Sequence, residues 1–351
     1  MNERLTIDLG LGHVRLDQPQ GSHFHVGSEY GPAEGFYTLR EAIARWEKVS
    51  VDNIAVTTGA SLGLVSALAF LGSPGSVLCP RPFYPAYPKV IQMLGLEAVY
   101  YDLKKQNGQA DPECIRDLIR EDTRALLLNF PSNPTGTLPS VDALAQIGEA
   151  IQGANLVVIS DEVYSDFIYD DYCFPNIPSV IKQAPVIRLR SFSKLFGMPG
   201  ERLGYVVADP FYSKLISKAH WSLAMCPPAS AQSMALTFLN STPDVKINDL
   251  RHTLLGTRDQ VSDILKTCDN VDFDLPQAGI FFWIQVPRGA IDSRTLAQKC
   301  AEMAGVIVVP GAVFGVECPT YLRASFAVPL SEALYGFSGL VNLLKTLKGK
   351  C

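Results

Sequence analysis

From residue 54 onward, short apolar runs alternate with longer stretches of helical periodicity. Ile54–Val56, Val77–Cys79, Ala98–Tyr101, Ala125–Asn129, Leu156–Ser160, Val186–Leu189 and Gly204–Ala208 read as short strands. They lack the alternation of polar and apolar positions that a half-exposed strand shows, so each is expected to be buried on both faces. Leu62–Leu71, Tyr87–Leu94, Glu113–Ile119 and Val141–Ala150 lie between them and read as helices. Buried strands separated by helices predict an α/β fold with a mainly parallel sheet between helical layers. Ligands of such sheets bind beyond the carboxyl ends of the strands.

The flanks read differently. Residues 5–12, LTIDLGLG, form a short strand ending in glycines, and a loop rich in Gly, Pro and His follows. Leu39–Trp46 is a helix, with Thr38 as its N-cap and Glu41 three residues on in a capping box. Lys214–Asn240 is helical with a break at Pro227-Pro228, and Asp249–Cys268 is a long helix leading out of the sheet region. Beyond it, strands at Phe273–Leu275, Phe281–Val286, Val306–Val309 and Leu322–Phe326 mix with helices at Ser293–Ala304 and Leu330–Leu347. This half predicts a smaller α+β domain.

Composition narrows the class. With 351 residues, 47% hydrophobic and 19% charged, the chain suits a globular protein of two domains or one large one. A net charge of -5 without a basic run argues against a nucleic-acid partner. No apolar stretch is long enough to cross a membrane and no signal peptide is visible, so no membrane partner is expected. The eight cysteines form no C-x-x-C pair, and their scatter fits free thiols in a reducing, cytoplasmic setting. His13, His23 and His25 share one loop but have no carboxylate or cysteine at ligand spacing, so no metal is expected.

The chemistry concentrates in Ser191-Phe192-Ser193-Lys194-Leu195-Phe196-Gly197-Met198-Pro199-Gly200-Glu201-Arg202-Leu203-Gly204. A lysine among small and apolar residues loses hydration, which favours its neutral amine. Such an amine can form a Schiff base with a carbonyl. Two hydroxyls and the guanidinium of Arg202 could hold a phosphate dianion. S-x-S-K by itself could equally be a surface loop. The whole string resembles the Schiff-base lysine signature of the class I/II aminotransferases, which use pyridoxal 5'-phosphate on fold type I. That resemblance implies a Lys194 aldimine, a proton shuttle by the freed amine, and a phosphate held by Ser191, Ser193 and Arg202.

Further motifs follow the predicted strands. Thr58-Gly59-Ala60-Ser61 opens a helix, where backbone N–H groups of Gly59, Ala60 and Ser61 can bind an anion, although many βα turns look alike. Tyr84, in Pro82-Phe83-Tyr84-Pro85-Ala86-Tyr87, can stack on a pyridine ring or simply pack; the resemblance assigns it the ring. Asn129-Phe130-Pro131-Ser132-Asn133-Pro134-Thr135-Gly136 resembles the family's N-P-x-N-P-T-G turn, which implies that Asn133 donates to the cofactor's phenolic oxygen. Asp161 ends a buried strand and can pair with a pyridinium nitrogen or cap a helix. The resemblance implies the pyridinium role, places Tyr164 beside the phenolic oxygen and leaves Glu162 structural. Val309-Pro310-Gly311-x-x-Phe314-Gly315 and Tyr321-Leu322-Arg323-Ala324-Ser325 are similar to the family's closing motifs, with Arg323 on the substrate α-carboxylate. Gly12 in LGLGHVRLDQP is similar to a family segment whose backbone contacts the same carboxylate. Tyr30-Gly31-Pro32-Ala33-Glu34-Gly35 resembles the segment whose tyrosine reaches the phosphate of the neighbouring subunit.

The resemblance runs from about residue 5 to residue 345, with all motifs in order. It implies an aminotransferase moving an amino group between an L-amino acid and a 2-oxo acid, and a homodimer with shared active sites. It also implies a large cofactor-binding domain over 30–245 and a small domain from 1–29 and 246–351. A lyase, decarboxylase or oxidase of the same fold is the alternative, since related enzymes use nearly the same residues. Two departures stand out: about ten residues separate Pro19 from Tyr30, fewer than in many members, and His13-Val14-Arg15 replaces the common Glu-Pro-Asp.

Overall fold

The computed structural model describes residues 7–8, 10, 30–103, 108–269, 271–286, 291–316 and 320–346. Gly12 and the three clustered histidines lie outside these residues. In chain order, the first part comprises β1 (Ile7–Asp8), α1 (Tyr37–Glu47), β2 (Ile54–Thr57), α2 (Gly59–Ala69), β3 (Ser76–Arg81), α3 (Ala86–Met93) and β4 (Glu97–Asp102). There follow α4 (Pro112–Leu118), β5 (Thr123–Asn129), α5 (Val141–Ala150), β6 (Val157–Asp161), α6 (Ile177–Val180), β7 (Val186–Ser191), α7 (Phe192–Leu195) and β8 (Gly204–Val207). The remainder runs α8 (Pro210–Ala224), α9 (Ala229–Leu239), α10 (Pro243–Lys266), β9 (Asp272–Phe273), β10 (Phe281–Gln285), α11 (Ser293–Lys299), β11 (Val306–Ile307), β12 (Val309–Pro310), β13 (Tyr321–Ser325) and α12 (Leu330–Thr346).

A seven-stranded sheet has the order β2-β8-β7-β6-β5-β3-β4. β8 runs antiparallel to both its neighbours, and the other pairings are parallel. Apart from the edge strand β4, where Ala98–Tyr100 are only half-buried, the apolar runs are buried on both faces because alternate residues enter different cores. Ala125 and Leu127 pack beneath α2 and α3, while Leu126 and Leu128 pack against α4 and α5. A four-stranded sheet, β12-β13-β10-β9, lies beyond α10, and β1 pairs with β11 in parallel. A third core joins α1, α10 and α12 to this second sheet.

Several boundaries differ from the sequence expectations for identifiable reasons. α1 begins at Tyr37, with Phe36 rather than Thr38 at the N-cap and no side-chain cap. The Phe36 N–H is satisfied instead by Gln232 Oε1 of α9 at 2.7 Å, and Glu41 pairs outward with Arg45 at 3.3 Å. A tertiary acceptor has replaced the local one. α10 starts earlier than expected because Pro243 occupies its first turn behind Thr242 at φ 44°. The run Val306–Val309 splits in two: β11 pairs with β1, and β12 pairs with β13. Helix 293–304 relaxes into a wider turn over Cys300–Ala304, closed by Gly305 at φ 66°. Among the described residues no helix is long and apolar enough to cross a membrane, and the six described cysteines are free thiols.

Candidate active site

The strand ends converge on a cavity of about 260 Å³. β2 leads into α2 through Gly59, which takes φ 73° and lies against Arg202; a Cβ there would come within 2.8 Å of Arg202 Nη2. Across the same corner, a Cβ on Gly204 would meet the Ala60 nitrogen at 2.6 Å. Glycine at these two positions lets the start of α2, the end of β7 and the Arg202 guanidinium crowd together. Arg202 itself sits at φ 52° and donates to the Pro199 carbonyl at 2.9 Å. The result is a helix N-terminus with a guanidinium beside it, a combination suited to an anion.

β6 delivers Asp161 to the floor of the cavity. Tyr87 of α3 donates its phenol to Asp161 Oδ2 at 2.5 Å, and the Val163 N–H reaches Oδ1 at 3.3 Å. Burial pushes the carboxyl up to about 6 despite these two donors, with Glu162 adding to the rise. A carboxylate so placed gains from a cation arriving nearby. Tyr87 is itself fully buried, and burial together with Asp161 pushes its phenol well above the ordinary range.

β7 ends at Ser191, whose Oγ accepts the Ser193 N–H at 3.0 Å and starts the single turn α7. Lys194 lies on that turn. Burial lowers its ammonium to about 8, and Arg323 and Arg202 push in the same direction. About a tenth of the amine is therefore neutral at pH 7, far more than for an ordinary lysine, as nucleophilic or base chemistry requires.

Arg323 enters from β13 of the second sheet and is buried. Its Nη1 donates to Asn133 Oδ1 at 2.8 Å and its Nη2 to the Gly10 carbonyl at 2.9 Å. The guanidinium lies 3.9 Å from the Phe281 ring centroid and 5.0 Å from that of Phe314. Nε has no hydrogen-bond partner among the described residues. Burial lowers the group to about 10, opposed by Tyr164 and Tyr84. Two neutral carbonyl acceptors and one unused donor leave this cation able to take a carboxylate.

Ala60, Ser61, Tyr84, Asn133, Asp161, Tyr164, Ser191, Ser193, Lys194, Arg202 and Arg323 all border this one cavity, and Gly59 adjoins it through Arg202. Tyr30 does not border it and is 73% exposed. Glu162 points away, accepting from Ser160 Oγ at 3.0 Å and Arg188 Nε at 2.8 Å. Sequence reasoning missed Tyr87 as the partner of Asp161, and Phe281 as the ring under Arg323. Tyr87 was legible only as a helical residue, and Phe281 only as part of an apolar strand.

The site and fold define an enzyme class. The pattern of the family "Aminotransferase class I and II" matches residues 11–335, and the chain belongs to this family. It is similar to the probable N-acetyl-LL-diaminopimelate aminotransferase of Bacillus subtilis (strain 168), at 29% identity over 337 residues, covering 93% of this chain and 84% of the relative. The probable aspartate/prephenate aminotransferase of Aquifex aeolicus (strain VF5) is 30% identical over 337 residues, 91% of this chain and 84% of its own. Among solved structures, an aromatic aminotransferase from Pyrococcus horikoshii OT3 superposes with a TM-score of 0.89 at 27% identity, over 98% of this chain and 96% of that one. The fold is that of the aspartate aminotransferase group, and the chain is an enzyme of the aminotransferase class.

Proposed function

We propose that the chain is a pyridoxal 5'-phosphate-dependent aminotransferase that moves an amino group between an L-amino acid and a 2-oxo acid. The observation that carries this reading is the placement of a lysine amine, lowered to about 8, in one cavity with a buried carboxylate and two guanidinium groups. The donor set fits the cofactor. A phosphate suits the corner of Arg202 and α2, a protonated pyridine nitrogen suits the buried Asp161, and the unused Nε of Arg323 suits a carboxylate. When bound, the cofactor supplies a carbonyl carbon for the amine and a ring that withdraws electrons from the substrate Cα.

The residues then divide the work. Gly59, Ala60, Ser61, Ser191, Ser193 and Arg202 bind the phosphate, and Tyr84 covers the ring. Asn133 and Tyr164 hydrogen-bond the phenolic oxygen, while Asp161 keeps a proton on the pyridine nitrogen. Arg323, with the Gly12 backbone, orients the α-carboxylate. Lys194 holds the cofactor and afterwards moves a proton at Cα. Residues 30–245 form the cofactor-binding domain, with 1–29 and 246–351 as the smaller substrate-closing domain. The enzyme acts in the cytoplasm as a homodimer, in which the exposed Tyr30 reaches the phosphate of the second copy.

Borohydride reduction of the yellow, cofactor-loaded protein should fix the label on Lys194. A labelled peptide carrying any other lysine refutes the assignment.

A further inference from the structure

One buried ionisable side chain beside the phosphate corner has no part in the reading above. His220 lies on α8, fully buried where that helix packs on α2 and β2. Its Nε2 accepts the Thr58 backbone N–H at 2.9 Å and lies 3.2 Å from Thr58 Oγ1. Thr58 is the N-cap of α2, yet its own side chain caps nothing there. The residue directly ahead of Gly59 is thus tethered by an imidazole 162 positions away in sequence.

An acceptor role requires a lone pair on Nε2, so the ring is neutral and carries its proton on Nδ1. Nδ1 is buried beside the Met225 backbone without a closed hydrogen bond. Burial pushes the ring below the ordinary histidine value, and the Met225 backbone partly opposes this. The surroundings bring little negative charge. β2 and α2 carry no ionisable side chain, and Asp52 on the turn Val51–Asn53 is exposed and lies 3.7 Å from Arg40. Lys214 and Lys218 share α8, Cys226 follows it, and Arg202 lies beyond Gly59.

We propose that His220 is a positioning residue for the phosphate-binding turn: its neutral ring fixes Thr58, and with it Gly59–Ala60–Ser61, and protonation of the ring loosens the hold on a phosphorylated cofactor. The inference rests on the cofactor reading. An imidazolium presents N–H at Nε2, so the Thr58 N–H would face a second donor and lose its buried acceptor. Because the fold favours the neutral ring, the turn stays intact as pH falls through the ordinary histidine value of 6.5 and is lost only as pH falls through the lower value of the buried ring.

Absorbance titration of pyridoxal 5'-phosphate into the cofactor-free chain, at about pH 8 and about pH 5.5, tests this with His220→Leu and His220→Gln. His220→Leu removes the acceptor and should weaken binding at the higher pH by about tenfold. His220→Gln keeps an acceptor that does not titrate, so it should recover most of that loss and weaken less than wild type on acidification. The cofactor's own phosphate titrates equally in both, so the difference isolates the histidine. Parallel acid losses in wild type and His220→Gln, or undiminished binding by His220→Leu, overturn the proposal. Failure of the wild type to bind at either pH would overturn the cofactor reading instead. Nitrogen-15 NMR of the cofactor-free wild type then still decides the histidine: an Nδ1–H tautomer titrating below the ordinary value supports the role, and an Nε2–H tautomer rules it out.

Discussion

Two groups of buried charges meet at adjacent residues, Asp161 and Glu162, and the fold treats them in opposite ways. On the Glu162 side, every charge has an opposite partner. Glu47 of α1 bridges Arg188 at 3.0 Å and Arg190 at 2.8 Å and accepts the Tyr205 phenol at 2.7 Å. Arg188 also pairs with Glu162 at 2.8 Å, and Arg190 with Asp166 at 2.9 Å. Burial alone would raise Glu47, but Arg190, Arg188 and Tyr205 outweigh it and hold the carboxyl at about 2. On the Asp161 side, the carboxyl meets a neutral phenol and a backbone N–H, and burial moves it up to about 6. Burial, aided by two guanidinium groups, lowers Lys194 to about 8. One cluster is neutralised within the fold. The other is held near the protonation midpoint, where a ligand can complete it.

That contrast can be broken from either side. Glu47→Gln should have the largest effect on stability, a loss of about 4 kcal/mol at neutral pH, because two guanidinium groups lose a buried partner. Since the Glu47 carboxyl is depressed, its contribution is fully present above the ordinary value of 4.5 and disappears as pH falls towards about 2. Urea unfolding across that range measures both. Asp161→Asn should act with the opposite sign on the cofactor-free protein. Its raised carboxyl destabilises the fold increasingly as pH rises from 3.8 to about 6. The amide should therefore stabilise the fold by roughly 3 kcal/mol at neutral pH and have almost no effect below the lower value. Transamination should fall by orders of magnitude in the same variant, so melting curves and turnover together show a group that harms the fold and serves the site. An unchanged or lowered melting temperature at neutral pH would remove Asp161 from this comparison. The smallest effect belongs to the exposed pair Glu41–Arg45, where Glu41→Ala should cost at most about 0.5 kcal/mol in the same unfolding assay.

Legibility in the sequence follows the range of the interaction. The strands of the seven-stranded sheet lie within one or two residues of the apolar runs, because burial on both faces imprints a continuous pattern on each segment. Most residues bordering the cavity were named by the family resemblance of their motifs, and the sheet explains why they meet: its βα turns lie at one edge, so motifs that follow β2, β3, β5, β6 and β7 converge there. The N-cap of α1 was misread because its N–H found an acceptor on α9 rather than nearby in the chain. The Val306–Val309 run gave no hint that it divides between two sheets, since an apolar run looks the same whichever strand it pairs with.

By itself, then, the sequence determined the order of elements, the doubly covered sheet and the reactive groups at its carboxyl edge, all of which depend on residues close together in the chain. The tertiary structure alone decided which of those groups touch. Arg323 reaches Asn133 across 190 residues, Tyr87 reaches Asp161 across 74, and His220 reaches Thr58 across 162. It also decided how the two carboxyls at 161 and 162 are partnered. Their neighbours in sequence are the same, but one side of the β6 end faces the guanidinium groups of β7 and the other faces the cavity. Burial and charge pairing are properties of that packed environment, and they set the pKa values on which the chemistry turns.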